Sequence, residues 1–191
     1  NKSKHRPKTG RRGPPDWALD KLPVALAYMT LRNGARTLGV LWRDDPMVVA
    51  LIAPKGLGDA MTTVARYLIT VSKYSHEGDV HFYSDDPTAE EEVQARIWIR
   101  DYERFVAVAE ADAHLPRAFA LASDSLICIK PPAVRHLKAA IHLVYGVDVD
   151  ARDALYLSQA GMDVIEMSFR RGRSPQRCMQ IAKALVRDDD D

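Results

Sequence analysis

The segment that decides the fold reads MVVALIA at residues 47–53 and PKGLGD at residues 54–59. Its first part is apolar on both faces of an extended chain, which predicts a strand in the interior of a sheet that is covered on two sides. The proline and the two glycines then predict a loop. A helix is expected from about residue 59 to residue 73, with Asp59 as a candidate N-cap.

Around this strand–loop–helix unit, apolar strands alternate with amphipathic helices. Such alternation predicts an α/β fold, in which a parallel sheet has helices on both faces. The other expected strands lie at about 37–43, 80–84, 104–109 and 125–130, and the helices among them at about 17–33, 88–100 and 116–121. The remainder is helical and predicts a small C-terminal helical lid, with helices at about 134–145, 150–160, 162–169 and 175–186. Asp150 and Ser174 are expected to cap the second and the fourth of these, and the turn at 85–88 is expected to cap the helix at 88–100.

The length and the charge distribution suggest how the chain is divided. Its 191 residues allow one compact domain with a helical appendage. We expect a flexible basic arm over residues 1–15, an α/β domain over 16–146, a lid subdomain over 147–187 and an acidic linker over 188–191. The arm is a solvating tail or a segment that contacts nucleic acid or an acidic partner.

Cysteine, histidine and hydropathy exclude several classes of protein. The six histidines show no metal-ligand spacing, so no metal site is expected. Two cysteines are too few for a disulfide framework, and Cys128, within an apolar run, is expected to be buried. There is no apolar run of membrane-spanning length and no visible signal peptide. We therefore expect a cytoplasmic protein that does not contact membranes.

The second half of the chain carries a resemblance to a known family. The segments concerned are the strand at 105–109, LPRAF at 115–119, the strand at 124–129, the helix at 132–145 and the helical region at 153–184 with GMDV at 161–164. In this order they resemble the sensing strand, connection, next strand, basic helix and lid of an AAA-plus ATPase module. The resemblance implies a degenerate, N-terminal module of a bacterial-type AAA ATPase.

The loop after the first strand departs from the family's phosphate-binding pattern. A working loop reads Gly-x-x-x-x-Gly-Lys-Ser/Thr, in which amides cradle phosphate and the lysine neutralises it. If Gly58 fixes the register, Asp59 stands at the lysine position and repels a triphosphate. The resemblance implies a vestigial nucleotide loop and no bound cofactor. The residues of this vestigial loop are Lys55, Gly56, Gly58, Thr62 and Thr63.

Two further features of an active ATPase are missing from the sequence. No strand ends in the Asp-Glu pair that holds Mg²⁺; the acidic strand ends are SDD at 84–86 and AEAD at 109–112. The segment at 122–124 lacks the arginine that the family pattern leads us to expect. These losses predict a pseudo-ATPase, a non-catalytic AAA-like domain. We expect it to recognise a substrate or a protein partner, or to build a homo-oligomeric ring, for an ATPase module.

A basic segment joins the last two expected helices. One interpretation is a docking surface for an acidic partner, such as a neighbouring subunit. Another is a nucleic-acid contact near the start of a helix, which together with the basic arm would make the chain a nucleic-acid-binding module. A third is a solvated turn in which basic groups lie favourably near a helix C-terminus. The residues concerned are Arg170, Arg171, Arg173 and Arg177.

An enzyme unrelated to the ATPases is the remaining alternative. Open α/β sheets place their sites at the carboxyl ends of the strands. Here those ends would bring the loop at 56–59 together with Glu110, Asp112 and His114. The alternative is thus a small doubly wound enzyme that works from these groups, and a plain surface turn is the competing interpretation of them.

Overall fold

The computed structural model describes residues 16–33, 41, 46–70 and 78–190. Within these ranges, four strands form one parallel sheet in the order β2-β3-β1-β4. The α/β fold class is therefore confirmed, and so is the interior position of β1, which pairs with β3 on one side and β4 on the other. The strands are β1 (Met47–Ile52), β2 (Gly78–Tyr83), β3 (Arg104–Ala109) and β4 (Ser125–Cys128).

Helices lie before, between and after the strands, and they make up the C-terminal third of the described chain. They are α1 (Leu22–Asn33), α2 (Gly58–Thr70), α3 (Ala89–Asp101), α4 (Arg117–Ala122), α5 (Val134–Tyr145), α6 (Ala151–Ala160), α7 (Met162–Ser168) and α8 (Pro175–Asp190), with short 3₁₀ helices at Asp16–Leu19 and Asp112–His114. Among these helices, none combines the length and apolar character that crossing a membrane requires.

The two faces of the sheet are covered by different helices. Alternate residues of a strand point to opposite faces, so Val49 and Val106 pack beneath α1 and α2. Val48 and Phe105 face the other way and pack with residues of α3 and α4, including Phe119. Both faces of β1 and β3 are therefore buried, as their uninterrupted apolar sequences require.

A third apolar cluster unites the C-terminal helices. It contains side chains of α5, α6, α7 and α8 together with Leu26 of α1 and Leu57 from the loop before α2. Val144 and Val147, on the two sides of the expected lid boundary, are buried in this same cluster. The C-terminal helices thus pack onto the sheet domain through α5 and α1.

Several local predictions are confirmed by helix caps. Thr88 caps α3 in a capping box, where its hydroxyl accepts the Glu91 N–H while the Glu91 carboxylate accepts the Thr88 N–H. Asp150 accepts the Asp153 N–H at 2.7 Å and caps α6 as expected. The hydroxyl of Ser174 accepts the Arg177 N–H in the same way at the start of α8.

Three expectations are wrong. Cys128 is exposed, because β4 is an edge strand and the helices of that face do not reach it. Asp59 is not an N-cap, since α2 already includes it in the first turn. Leu41 is helical where a strand was expected over 37–43, and the other residues of that strand lie outside the described ranges, as do the basic arm and residues 71–73.

Candidate functional site

The candidate site lies where β1 and β3 end side by side. After β1 the chain enters α2 on one face of the sheet, and after β3 it enters α4 on the other face. Ligands of open α/β sheets bind at such a switch point, in the crevice outside the carboxyl ends of the strands. The topology therefore points to the space between the start of α2 and the segment that follows Ala109.

The connection from β1 to α2 is a single tight turn. The Leu57 N–H donates to the Pro54 carbonyl at 3.0 Å, and Gly56 adopts a φ of 81°, which suits glycine and strains other residues. Ala53 still belongs to the sheet, since its N–H donates to the Ala109 carbonyl at 2.7 Å. The backbone therefore makes a compact reversal here instead of an open loop of converging amides.

A carboxylate of the chain itself occupies the N-terminus of α2. The Gly58 N–H donates to Glu110 Oε1 at 2.9 Å. A helix N-terminus carries partial positive charge, so an anionic acceptor is stabilising there. Glu110, which follows β3, thus supplies from another part of the chain the cap that Asp59 was expected to provide.

The aromatic ring of Phe82, from β2, packs beside Gly58. A Cβ atom added to Gly58 would lie 2.3 Å from Phe82 Cε2 and 2.9 Å from Glu110 Oε1. Such distances are far below van der Waals contact, so a larger residue at position 58 would require Phe82 and Glu110 to shift. Phe82 thus packs beside Gly58, while Glu110 accepts its N–H.

The residues of the expected vestigial loop have separate local roles. Lys55 and Gly56 are exposed at the tip of the turn. The hydroxyl of Thr62 is buried and donates to the Gly58 carbonyl at 2.8 Å, and that of Thr63 donates to the Asp59 carbonyl at 3.2 Å. Both threonine hydroxyls thus bond within α2 and do not point toward a shared ligand position.

The acidic strand ends come together only in part. His114 Nε2 lies 3.8 Å from Asp86 Oδ1, which joins the segments after β3 and β2. Asp112 is exposed at the start of its 3₁₀ helix, and Glu110 is engaged with Gly58. Within the described ranges, no three histidine, cysteine or acidic side chains are grouped as metal ligands.

An open cleft of about 450 Å³ lies beside the turn, and sequence reasoning did not predict it. Its wall is mostly apolar, and its one charged group among the described lining residues is Lys55. No local motif marks such a cleft, because its lining comes from four separate parts of the chain. These are Leu26 of α1, residues 54–57 of the turn, residues 131–134 and 137 around the start of α5, and residues 157, 158, 161, 162 and 165 of α6 and α7.

The arginine cluster divides into two pairs. Arg173 Nη1 donates to the Ser168 carbonyl at the end of α7, and Arg171 Nη2 donates to the Leu143 carbonyl in the last turn of α5 at 3.4 Å. Both arginines thus satisfy helix C-termini, where positive charge is favourable. Arg170 and Arg177 are exposed, and their side chains make no hydrogen bond or ion pair within the described part of the chain.

Comparison with protein-family models, with curated proteins and with solved structures finds no match to this chain. Its function must therefore be argued from the arrangement of its own residues.

Proposed function

We propose that this chain is a non-catalytic, AAA-like domain that recognises a protein partner or helps to build an assembly for an ATPase module, without turning over nucleotide itself. One observation carries the proposal: Glu110 holds the first amide of α2 at 2.9 Å. In a phosphate-binding loop, a phosphate oxygen would accept that amide. The chain fills this position with its own anion.

The backbone amides around the turn support the same conclusion. Ala53 donates to Ala109, Leu57 donates to Pro54, Gly58 donates to Glu110, and Pro54 has no N–H. A phosphate cradle requires several consecutive amides that converge on one anion. Within residues 53–58, this leaves only the N–H groups of Lys55 and Gly56 without an acceptor, so the turn itself offers two amides to an anion.

The charges near the α2 N-terminus also disfavour a polyphosphate. Glu110 lies at the first amide, and Asp59 is exposed in the first turn. Opposing these two carboxylates, Lys55 is the cation of the turn. A triphosphate would approach two like charges in a partly desolvated crevice, where Coulomb repulsion is stronger than in bulk water.

Thermal unfolding with and without MgATP tests the proposal. A ligand that binds the folded state raises the melting temperature, so wild-type protein should show no MgATP-dependent shift at millimolar nucleotide, and no ATP hydrolysis. Lys55→Ala serves as the matched variant, because it removes the one cation of the turn. A rise in melting temperature with MgATP in the wild type that Lys55→Ala abolishes would refute the proposal.

A further inference from the structure

The cleft beside the β1–α2 turn combines an apolar interior with one cation at its edge. Its volume of about 450 Å³ falls within the range of small-molecule sites, which are mostly apolar with a few orienting polar groups. Leu26, Leu57 and Leu137 form part of its floor and belong to the buried core of the C-terminal helices. The floor is therefore part of the packed core, as a preformed site requires.

The rim adds apolar surface that is accessible to a ligand. Pro131 is exposed, and Pro132, Val134 and Met162 are half-buried, so their side chains remain partly in contact with water. Proline rings hold a fixed shape, and methionine adapts to irregular partners. Covering this surface with an apolar group would remove it from water, which is favourable by about 25 cal/mol per Å².

Lys55, the one charged residue among the described lining residues, lies at the tip of the turn beside Gly56. The N–H groups of Lys55 and Gly56 make no hydrogen bond within the described part of the chain. An ammonium group beside two consecutive amides suits a small anion. Ser158 of α6 adds a neutral hydroxyl, which donates to the Leu155 carbonyl at 2.6 Å.

We infer that this cleft binds an amphipathic monocarboxylate: an apolar body held between the Pro131–Pro132 segment and Met162, with its carboxylate at Lys55 and the turn amides. A single carboxylate matches Lys55, the one cation among the described lining residues. The further charges of a polyphosphate would find no cation among those residues. This assigns a ligand class to a domain whose proposed role is recognition, and it goes beyond that role.

Decanoate and its neutral analogue decanol, both below micelle-forming concentrations, test the assignment on the full chain. Displacement of the fluorescent probe anilinonaphthalene sulfonate reports binding of each. Lys55→Met keeps the aliphatic stem and removes the charge, so it should weaken decanoate binding about threefold to fivefold and leave decanol binding unchanged. Lys183→Met, on an exposed lysine of α8 outside the cleft, is the matched control and should change neither.

A second variant tests whether the cleft itself is the site. Ser158 is exposed on the cleft wall, so Ser158→Trp should fold normally, fill the opening and weaken both ligands. The inference is overturned if wild type does not bind decanoate, if Lys55→Met weakens both ligands equally or neither, or if Ser158→Trp has no effect. Displacement of the probe by MgATP would refute both the ligand inference and the proposed function. Any of the other contradicting outcomes would overturn the ligand inference and leave the proposed function intact.

Discussion

Replacing Glu110 measures how much its hydrogen bond to the Gly58 N–H contributes to the stability of the fold. Glu110→Ala removes the acceptor of the Gly58 N–H and leaves this partly buried amide without its partner. A hydrogen bond to a charged group contributes about 1.5–3 kcal/mol to the free energy of unfolding. In a chain of 191 residues each 1 kcal/mol lowers the melting temperature by about 2–4 °C. Glu110→Ala should therefore lower it by about 3–12 °C.

Glu110→Gln separates the hydrogen bond from the charge. The amide oxygen of glutamine can still accept the Gly58 N–H, but the attraction between a carboxylate and the helix dipole is lost. That attraction is worth about 0.3–1 kcal/mol, so the melting temperature should fall by only about 1–4 °C. Differential scanning calorimetry at neutral pH measures both variants. Asp112→Ala, two residues away and exposed, is the control and should change stability by less than about 0.5 kcal/mol.

The melting temperatures of the three variants together test whether the Glu110 carboxylate stabilises the N-terminus of α2. If Glu110→Ala were as stable as Asp112→Ala, the carboxylate at the α2 N-terminus would contribute nothing, and the reasoning would be refuted. A second readout follows from the same geometry, because the N–H of Gly58 then lacks its acceptor. Inorganic phosphate should raise the melting temperature of Glu110→Ala and leave that of the wild type unchanged. Stabilisation of both proteins by phosphate would contradict the view that Glu110 excludes anions.

Two further predictions concern local structure and pH. Thr88→Ala removes the capping box of α3 and should cost about 1 kcal/mol in the free energy of unfolding by urea titration, whereas Thr63→Ala, whose exposed hydroxyl bonds only within α2, should cost less than about 0.5 kcal/mol. Burial lowers the pKa of His136 below its ordinary value of 6.5, with a smaller contribution from Arg135, and His136 Nδ1 accepts the Ala133 N–H at 2.9 Å. The unfolded chain takes up this proton at a higher pH than the folded chain, so the free energy of unfolding should fall as the pH drops below about 6.5. Urea titrations across pH should show a less steep fall in His136→Asn. Equal slopes of the free energy of unfolding against pH for the two proteins would contradict this. Burial lowers the pKa of His81 too, which leaves part of the dependence in the variant.

Apolar periodicity and capping residues predicted those helices and strands that depend on interactions between residues close in sequence. The bounds of β3 and α5 follow directly from their apolar patterns. Thr88 and Asp150 cap their helices, because a side-chain oxygen one residue before a helix reaches amides only three residues ahead. In these cases all the interacting atoms lie within a few residues of one another, so the sequence contains the whole interaction.

The errors have non-local causes. Cys128 sits in an apolar run, as buried strand residues do, yet its exposure depends on which strand lies at the sheet edge and where the helices end. The acceptor of the Gly58 N–H lies 52 residues away along the chain. The sequence places the loop at 56–59 and Glu110 at the same edge of the sheet, but their hydrogen bond depends on the register of β1 against β3, which no local pattern shows. The cleft was missed for the same reason.

The contact between Gly58 and Glu110 links the stability of the domain to its expected lack of nucleotide chemistry. A helix that begins at a sheet's switch point has amides that need an acceptor, and in a nucleotide-binding protein the ligand's phosphate serves as that acceptor. Here Glu110 accepts the first amide, and Phe82 packs beside Gly58 where a Cβ atom would otherwise lie. A bound anion would have to displace an acceptor already in place, so it would gain only the difference between two similar interactions. Glu110→Ala should therefore both destabilise the fold and allow an anion to bind at the Gly58 N–H.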